Sequence, residues 1–184
     1  RDRSYPYDTN DDAPDYSKPT GLFPVYDCGS LAKLMPLTTN WTALNSKVDE
    51  MTPNGMTNVT IGLVWAFHAL TSTAPLSEAA LPATDLDKVI ILLTDGENTE
   101  AWKNQNNTVV NNSNLIDART KLACDNIKQA NIKIYAIRVI DGNSSLLQQC
   151  ATNPSMYFDV QNASDLNNVF SAIAQNLANL RLAK

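Results

Sequence analysis

The feature that most constrains the fold is an unbroken aliphatic run, KVIILLT, at Lys88–Thr94. Because the run is aliphatic and β-branched without polar alternation, it is typical of a strand buried on both faces of a parallel sheet. Asp95 and Gly96 follow at once, and an Asp-Gly pair favours a turn. The sequence therefore predicts a central parallel strand with Asp95 at its carboxyl end.

The rest of the chain alternates helical and strand patterns around this run. Two further strand patterns occur at 132–140 and 156–160. Five other segments are predicted helices: from Asn40 to Pro53, Val59–Leu70, which is apolar on nearly every side, 115–129, 144–151 and from Ser164 onward. Such alternation predicts an α/β fold, in which a doubly wound parallel sheet is covered by helices on both faces and joined by right-handed crossovers.

The predicted organisation has two parts. Residues 1–29 are rich in Asp and Pro and carry little apolar patterning, which predicts an extended acidic arm without regular structure. Residues 30–184 hold the helical and strand patterns and form the predicted domain. Within it we also expect a short strand at 31–37 and, at 97–114, a polar Asn-rich excursion on the surface.

Charge and hydropathy make two kinds of partner unexpected. The chain has 14 Lys and Arg against 19 Asp and Glu, a formal net charge of −5, and no basic stripe that would neutralise phosphates. Its longest strictly aliphatic run, at 89–93, has five residues, whereas a helix needs roughly 20 to cross a bilayer. We therefore expect no nucleic-acid partner and no membrane span within this chain.

Candidate binding residues lie where the predicted strands end. In an open parallel sheet the ligand crevice lies at the carboxyl ends of the strands, which places Asp95–Gly96 and Asp141–Gly142 together. Thr57 lies in another turn, 55–58, that enters the apolar helix. A hydroxyl and a carboxylate are hard oxygen ligands suited to Mg²⁺, Mn²⁺ or Ca²⁺. The alternative is structural: Asp95 caps its turn and Thr57 caps the helix.

A family resemblance makes these residues more specific. The segment KVIILLTDGEN, preceded by a G-x-T-N turn into a buried helix and followed by IYAIRV, resembles the later half of a von Willebrand factor type A domain. In that family a threonine from the turn and an aspartate after the central strand help form a metal-ion-dependent adhesion site. The resemblance implies that Thr57 and Asp95 are the corresponding metal ligands.

A narrower resemblance covers the chain from about Cys28 to Lys184. TDGEN, Trp65, the Cys124-x-x-x-Lys128 spacing, LLQQCA at 146–151 and the closing helix together resemble the TadG-like proteins of tight-adherence (Flp) pilus assembly. The resemblance implies a domain in the periplasm, anchored in the inner membrane by a segment outside this chain. It also implies a structural disulfide between Cys124 and Cys150.

The chain departs from the family pattern in one respect. The family's first metal loop, D-x-S-x-S, follows the first, central strand of the sheet, and no such sequence occurs in this chain. The aspartate and serines of that loop are therefore missing, together with the strand that carries them. We expect the missing strand and loop to lie upstream in the native protein or to be supplied by another chain.

The three cysteines, Cys28, Cys124 and Cys150, lack the paired short spacing of zinc sites. In an oxidising compartment we favour a bridge between Cys124 and Cys150, because each lies on a helical segment flanking one strand. Cys28 is then left for a partner upstream. In the alternative, all three are reduced, buried cysteines of a cytosolic protein.

Together these observations predict a non-enzymatic binding domain. A divalent cation is held by Thr57, Asp95 and upstream groups, and an acidic side chain of a protein partner completes its coordination. One alternative is a structural assembly module with a vestigial metal site. Another is an enzyme that uses Asp95, which the sequence disfavours because the single histidine, His68, lies within the apolar helix, where we expect a core residue.

Overall fold

The structure is a computed structural model and describes residues 32–53, 57–99, 102–103, 109–110 and 113–182. The chain divides into two compact units, one of residues 1–56 and 99–112 and one of 57–98 and 113–184. The predicted arm at 1–29 lies outside the described residues. The helices and strands are α1 (Trp41–Asp49), α2 (Val59–Leu70), β1 (Lys88–Thr94), β2 (Trp102–Lys103), β3 (Val109–Val110), α3 (Ser113–Gln129), β4 (Ile132–Val139), α4 (Ser144–Cys150), β5 (Tyr157–Val160) and α5 (Leu166–Leu182).

The described part of the first unit contains one helix and one small hairpin. The carboxamide oxygen of Asn40 accepts a hydrogen bond from the Ala43 N–H at 3.0 Å and so caps the start of α1. The strand predicted at 31–37 is wrong for the described residues before Asn40, which have no regular secondary structure. Pro36 there has no N–H to donate to a strand ladder. In the polar excursion, β2 and β3 pair antiparallel.

The second unit is built on a three-stranded sheet in the order β1, β4, β5, with both pairings parallel. Along β1 and β4 the register runs from Lys88 opposite Ile132 to Thr94 opposite Arg138. The shorter β5 pairs only with the second half of β4. Because both pairings are parallel, the carboxyl ends of all three strands lie at one end of the sheet.

The central strand, β4, has a different core on each face. Ile134 and Ala136 belong to a cluster that includes buried residues of α2, α3 and α4. Tyr135 and Ile137 belong to a second cluster with Ile173 of α5. Since successive side chains of a strand point to opposite faces, the sheet is covered by helices on both sides. The predicted α/β fold is confirmed.

The position of β1 differs from its predicted central place. Among the described residues no strand pairs with its second edge, so it is an edge strand of this sheet. Ile90 and Leu92 are buried in the α2 and α3 cluster, whereas Ile91 and Leu93, on the opposite face, are each 43% exposed. An aliphatic strand with one uncovered face and one unpaired edge is what a sheet lacking a strand presents.

No helix in the described part of the chain combines the length and the apolar character that crossing a membrane requires.

Candidate functional site

The turn after β1 is held by the Thr94 side chain. The Thr94 hydroxyl donates to the Gly96 carbonyl oxygen at 3.0 Å, and the Gly96 N–H lies 3.3 Å from the same hydroxyl oxygen. These contacts reverse the chain directly after the strand. Thr94 itself is buried, while Asp95, between the two, is exposed to solvent. The carboxylate of Asp95 is thus open to a ligand at the carboxyl end of the sheet.

The structure brings Thr57 next to this turn. A methyl group built on Gly96 would lie 3.8 Å from the Thr57 hydroxyl oxygen, so the glycine backbone and the threonine side chain are neighbours. Two segments far apart in sequence therefore place a hydroxyl and a carboxylate-bearing turn together. This closeness follows from the parallel sheet, because the turn into α2 and the turn after β1 lie at the same end of it.

Asn98, at the end of the same loop, fastens it to α2. Its carboxamide oxygen accepts a hydrogen bond from the Val59 N–H at 2.8 Å. The first residues of a helix have N–H groups without helical partners, and the N-cap residue, Asn58, makes no side-chain cap bond. Asn98 therefore supplies from another loop a cap that the local sequence does not.

Asp117, on α3, accepts hydrogen bonds from two loops at once. The Asn98 amide nitrogen lies 2.7 Å from its Oδ1, and the Asn143 amide nitrogen lies 2.8 Å from its Oδ2. Asn143 follows β4, and its own Oδ1 accepts the Leu146 N–H at 3.1 Å to cap α4. One carboxylate thus connects the loop after β1 with the loop after β4.

Two threonines, Thr60 half-buried and Thr120 buried, complete this polar layer between α2 and α3. The hydroxyls of Thr60 and Thr120 lie 2.7 Å apart, and the Thr120 hydroxyl also donates to the Ile116 carbonyl at 3.0 Å. Thr120 is fully buried, and the amide of Asn98 lies 3.3 Å from it. Buried polar groups cost free energy unless they are hydrogen-bonded, so this layer requires α2 and α3 to keep their relative positions.

The loop after β4 packs tightly against the end of β1. A methyl group on Gly142 would lie 3.4 Å from the Thr94 methyl and 3.2 Å from a Leu147 methyl, so only glycine fits there without displacement. The Gly142 carbonyl also accepts from Arg138 at 2.7 Å. Arg138 pairs with Asp159 at 2.8 Å, and that hydrogen bond raises the pKa of the guanidinium. The predicted common position of both Asp-Gly turns is therefore found.

Sequence reasoning missed most of this polar layer. Asn98 was part of the TDGEN segment, but nothing local indicated that it caps α2. Asp117, Thr120 and Asn143 had no motif at all, because their partners come from other elements of the fold. The one available signal was Thr120, a polar residue four positions from both Ile116 and Cys124 on the inward face of the helix at 115–129.

Thr57 and Asp95 offer some of the ligands that a hard divalent cation such as Mg²⁺, Mn²⁺ or Ca²⁺ needs. Both groups offer oxygen, the ligand type that these ions prefer. Across the described ranges, however, no cluster of three or more Asp, Glu, His or Cys side chains is placed to hold a metal ion. These residues can therefore supply part of a coordination sphere, and other oxygen ligands must complete it.

Cys124, Cys150 and His68 take no part in the hydrogen bonds of this rim among the described residues. Cys124 and Cys150 are fully buried, with their sulfur atoms 2.00 Å apart in a disulfide that joins α3 to α4. Cys28 lies outside the described residues. His68 is half-buried in α2, with its ring centroid 5.8 Å from those of Trp65 and Phe67. No catalytic partner contacts it among the described hydrogen bonds.

The chain belongs to the von Willebrand factor type A domain family, whose sequence model matches residues 29–172. No curated protein matches the chain. In the described structure Thr57 and Asp95 lie at the carboxyl end of the sheet.

Two kinds of solved structure are similar to this chain at low identity. The pilus adhesin SpaC from Lactobacillus rhamnosus GG, in its open conformation, has a TM-score of 0.55 at 14% identity, over 74% of this chain and 21% of that one. The mussel byssus proximal thread matrix protein 1 has a TM-score of 0.48 at 20% identity, over 77% and 29%. A form of the mussel protein with a zinc-occupied MIDAS motif has the same score at 21% identity, over 77% and 28%. The chain thus spans less than a third of each of these proteins.

Proposed function

We propose that this chain is a non-enzymatic binding domain that engages a protein partner through a divalent cation, with Thr57 and Asp95 among the cation's ligands. One observation carries the proposal: the Thr57 hydroxyl lies beside Gly96, in the turn that exposes the Asp95 carboxylate. A cation held there would keep a coordination position open to solvent. An acidic side chain of a partner would fill it, since carboxylate oxygen is a preferred ligand.

The remaining ligands come, in this proposal, from a strand that pairs with the open edge of β1. That edge is aliphatic and unpaired among the described residues, and Ile91 and Leu93 beside it are exposed. A parallel strand placed there would end at the same rim as Asp95. Its following loop would therefore bring further oxygen ligands, such as those of a D-x-S-x-S motif, next to Thr57.

We further propose that the domain works in pilus assembly or surface attachment, as in the TadG-like proteins. In that setting it lies in the periplasm or on the cell surface, and a segment outside this chain anchors it in the inner membrane. The buried pair Cys124 and Cys150 supports this placement, because disulfides persist in oxidising compartments. Membership of the von Willebrand factor type A family supports a role in binding proteins.

A second candidate is a structural assembly module with an incomplete metal site. The observation that favours it is the lack, among the described residues, of a cluster of three or more metal-ligating side chains. In this case partners would contact the helices or the polar excursion that contains β2 and β3. Binding would then be independent of divalent cations.

The two candidates are separated by titrating Mn²⁺ and Mg²⁺ calorimetrically into the full-length protein. We expect one cation to bind per domain and Asp95→Ala to raise its Kd about 10-fold or more, since a hydrogen bond or contact to a charged group contributes about 1.5–3 kcal/mol. Asp85→Ala is the matched control, because it removes the same charge from an exposed position and should leave the Kd unchanged. Equal affinities of the two variants would reject the metal site and favour the structural module.

A further inference from the structure

A continuous series of hydrogen bonds crosses the carboxyl rim of the sheet. It runs from the Val59 N–H to Asn98, from Asn98 to Asp117, from Asp117 to Asn143, and from Asn143 to the Leu146 N–H. Every one of these bonds is between 2.7 and 3.1 Å long. The series joins the start of α2 to the start of α4 through one carboxylate on α3. We call Asn98, Asp117 and Asn143 the Asp117 clamp.

The clamp controls the spacing between the two candidate ligands. Thr57 immediately precedes Asn58 and Val59, and the Val59 N–H is held by Asn98. Asp95 belongs to the same short loop as Asn98, whose side chain is only 3% exposed. The position of Asn98 is set in turn by Asp117, because the carboxylate accepts its amide. Thr57 and Asp95 are thus fixed relative to each other through Asn98, whose position Asp117 holds.

The chemistry of the clamp allows only one arrangement of donors and acceptors. Asn98 must turn its oxygen toward the Val59 N–H, which leaves its NH₂ group for Asp117. Asn143 must turn its oxygen toward the Leu146 N–H, which again leaves NH₂ for Asp117. The Asp117 side chain offers an acceptor oxygen to each of the two amide donors.

We propose that Asp117 is a positioning residue for the cation site at Thr57 and Asp95, and that it couples this site to the loop after β4 and to α4. The inference rests on the proposed function, which supplies the cation. Groups that orient the ligands of a metal typically change its affinity 10- to 100-fold when they are mutated. We therefore expect loss of the clamp to raise the Kd for Mn²⁺ about tenfold.

The test is a donor and acceptor swap in the full-length protein. Asp117→Asn keeps the side-chain volume, but its new NH₂ group faces the NH₂ group of Asn143 or of Asn98, so one bond is lost. Adding Asn143→Asp restores complementarity, because the new carboxylate accepts from the amide at position 117 and still accepts the Leu146 N–H. Asp85→Asn, the same change at an exposed position away from the clamp, is the control.

Two measurements are made on each variant: the Kd for Mn²⁺ by calorimetry and the hydrogen exchange of the amides of Val59 and Leu146. We expect Asp117→Asn to raise the Kd about tenfold and to speed exchange at both amides. The double variant should return both quantities to within about threefold of the wild type, and the control should change neither. If Asp117→Asn acted only through a general loss of stability, it would lower Tm, and adding Asn143→Asp would not reverse the effect.

The outcomes separate this inference from the proposed function. If the wild type binds Mn²⁺ and Asp117→Asn binds it equally well, the positioning role is overturned while the cation site stands. If the wild type binds no Mn²⁺, the proposed function fails first, and the positioning role fails with it. In that case faster exchange at Leu146 in Asn98→Ala would still support the coupling of the two loops, and unchanged exchange would refute it.

Discussion

Replacing Asn98 by alanine tests how much the polar layer at the rim contributes to stability. Asn98 is 3% exposed, and its side chain makes three hydrogen bonds to residues of two helices, α2 and α3. Alanine removes all three, so the Val59 N–H, the Asp117 carboxylate and the Thr120 hydroxyl each lose a partner. We therefore expect Asn98→Ala to lower the free energy of unfolding clearly, although position 98 lies in a loop.

The magnitude follows from the fate of each partner. The Val59 N–H loses its cap, because Asn58 makes no side-chain cap bond, and loss of a helix cap costs about 1 kcal/mol. Asp117 loses its hydrogen bond from Asn98. We take about 1.5 kcal/mol for it, the lower end of the range for a bond to a charged group, because Asp117 is only half-buried and keeps its hydrogen bond from Asn143. The longer bond to Thr120 adds about 0.5 kcal/mol. Asn98→Ala should therefore lower the free energy of unfolding by about 3 kcal/mol.

The assay is equilibrium unfolding in urea, followed by circular dichroism, with Asn114→Ala as the control. Asn114 lies exposed on α3, and its replacement should change the free energy of unfolding by no more than about 0.5 kcal/mol. A loss below about 1 kcal/mol for Asn98→Ala, close to the control, would refute the cap and clamp argument.

Asn98→Asp separates the polar contribution from the loss of volume. Aspartate keeps the shape and the acceptor for Val59, but it turns a second carboxylate toward Asp117. We expect this variant to be less stable than Asn98→Ala at pH 7. The like charge raises the folded pKa of one carboxyl, so stability should return as the pH falls and that group takes up a proton. The same urea unfolding at pH 7 and pH 4.5 measures the difference.

Two further predictions concern the core. Replacing Cys124 and Cys150 by alanine should lower the free energy of unfolding by about 3.5 kcal/mol, since the disulfide closes a loop of about 26 residues. If the wild-type protein has the same free energy of unfolding with and without reductant, this prediction is contradicted. Burial raises the pKa of the Tyr135 hydroxyl above 10.0, so its contribution to stability is complete below pH 10 and is lost as the pH rises through the folded value. Between pH 9 and 11.5 the free energy of unfolding, measured in urea, should therefore decline less steeply for Tyr135→Phe than for the wild type. An equally steep decline in both proteins would argue against this prediction.

The regular elements of the second unit could be predicted because their signals are local. The helix at Val59–Leu70 and the strand at Lys88–Thr94 have the predicted bounds, and β4 differs from its prediction by one residue. Aliphatic runs and helical spacing act within one element and do not depend on distant partners. The strand predicted at 31–37 lacked such a pattern and contained Pro36, and it is not formed in the described residues.

The place of β1 in the sheet could be predicted only in part. Its aliphatic sequence indicated burial on both faces, yet Ile91 and Leu93 are exposed and one edge is unpaired in the described structure. Periodicity reports the environment that a strand has in its complete sheet. It does not report which segment provides the neighbouring strand.

By itself the sequence determined the strand and helix order, and with it the end of the sheet where Thr57 and Asp95 lie. That much follows because the carboxyl ends of parallel strands share one rim. Only the tertiary structure decided that Asn98 caps α2, that Asp117 accepts from two loops, and that Thr120 is buried against Thr60. A hydrogen bond needs its two partners within about 3 Å, and for these residues the folded chain, not the spacing along the sequence, brings the partners together.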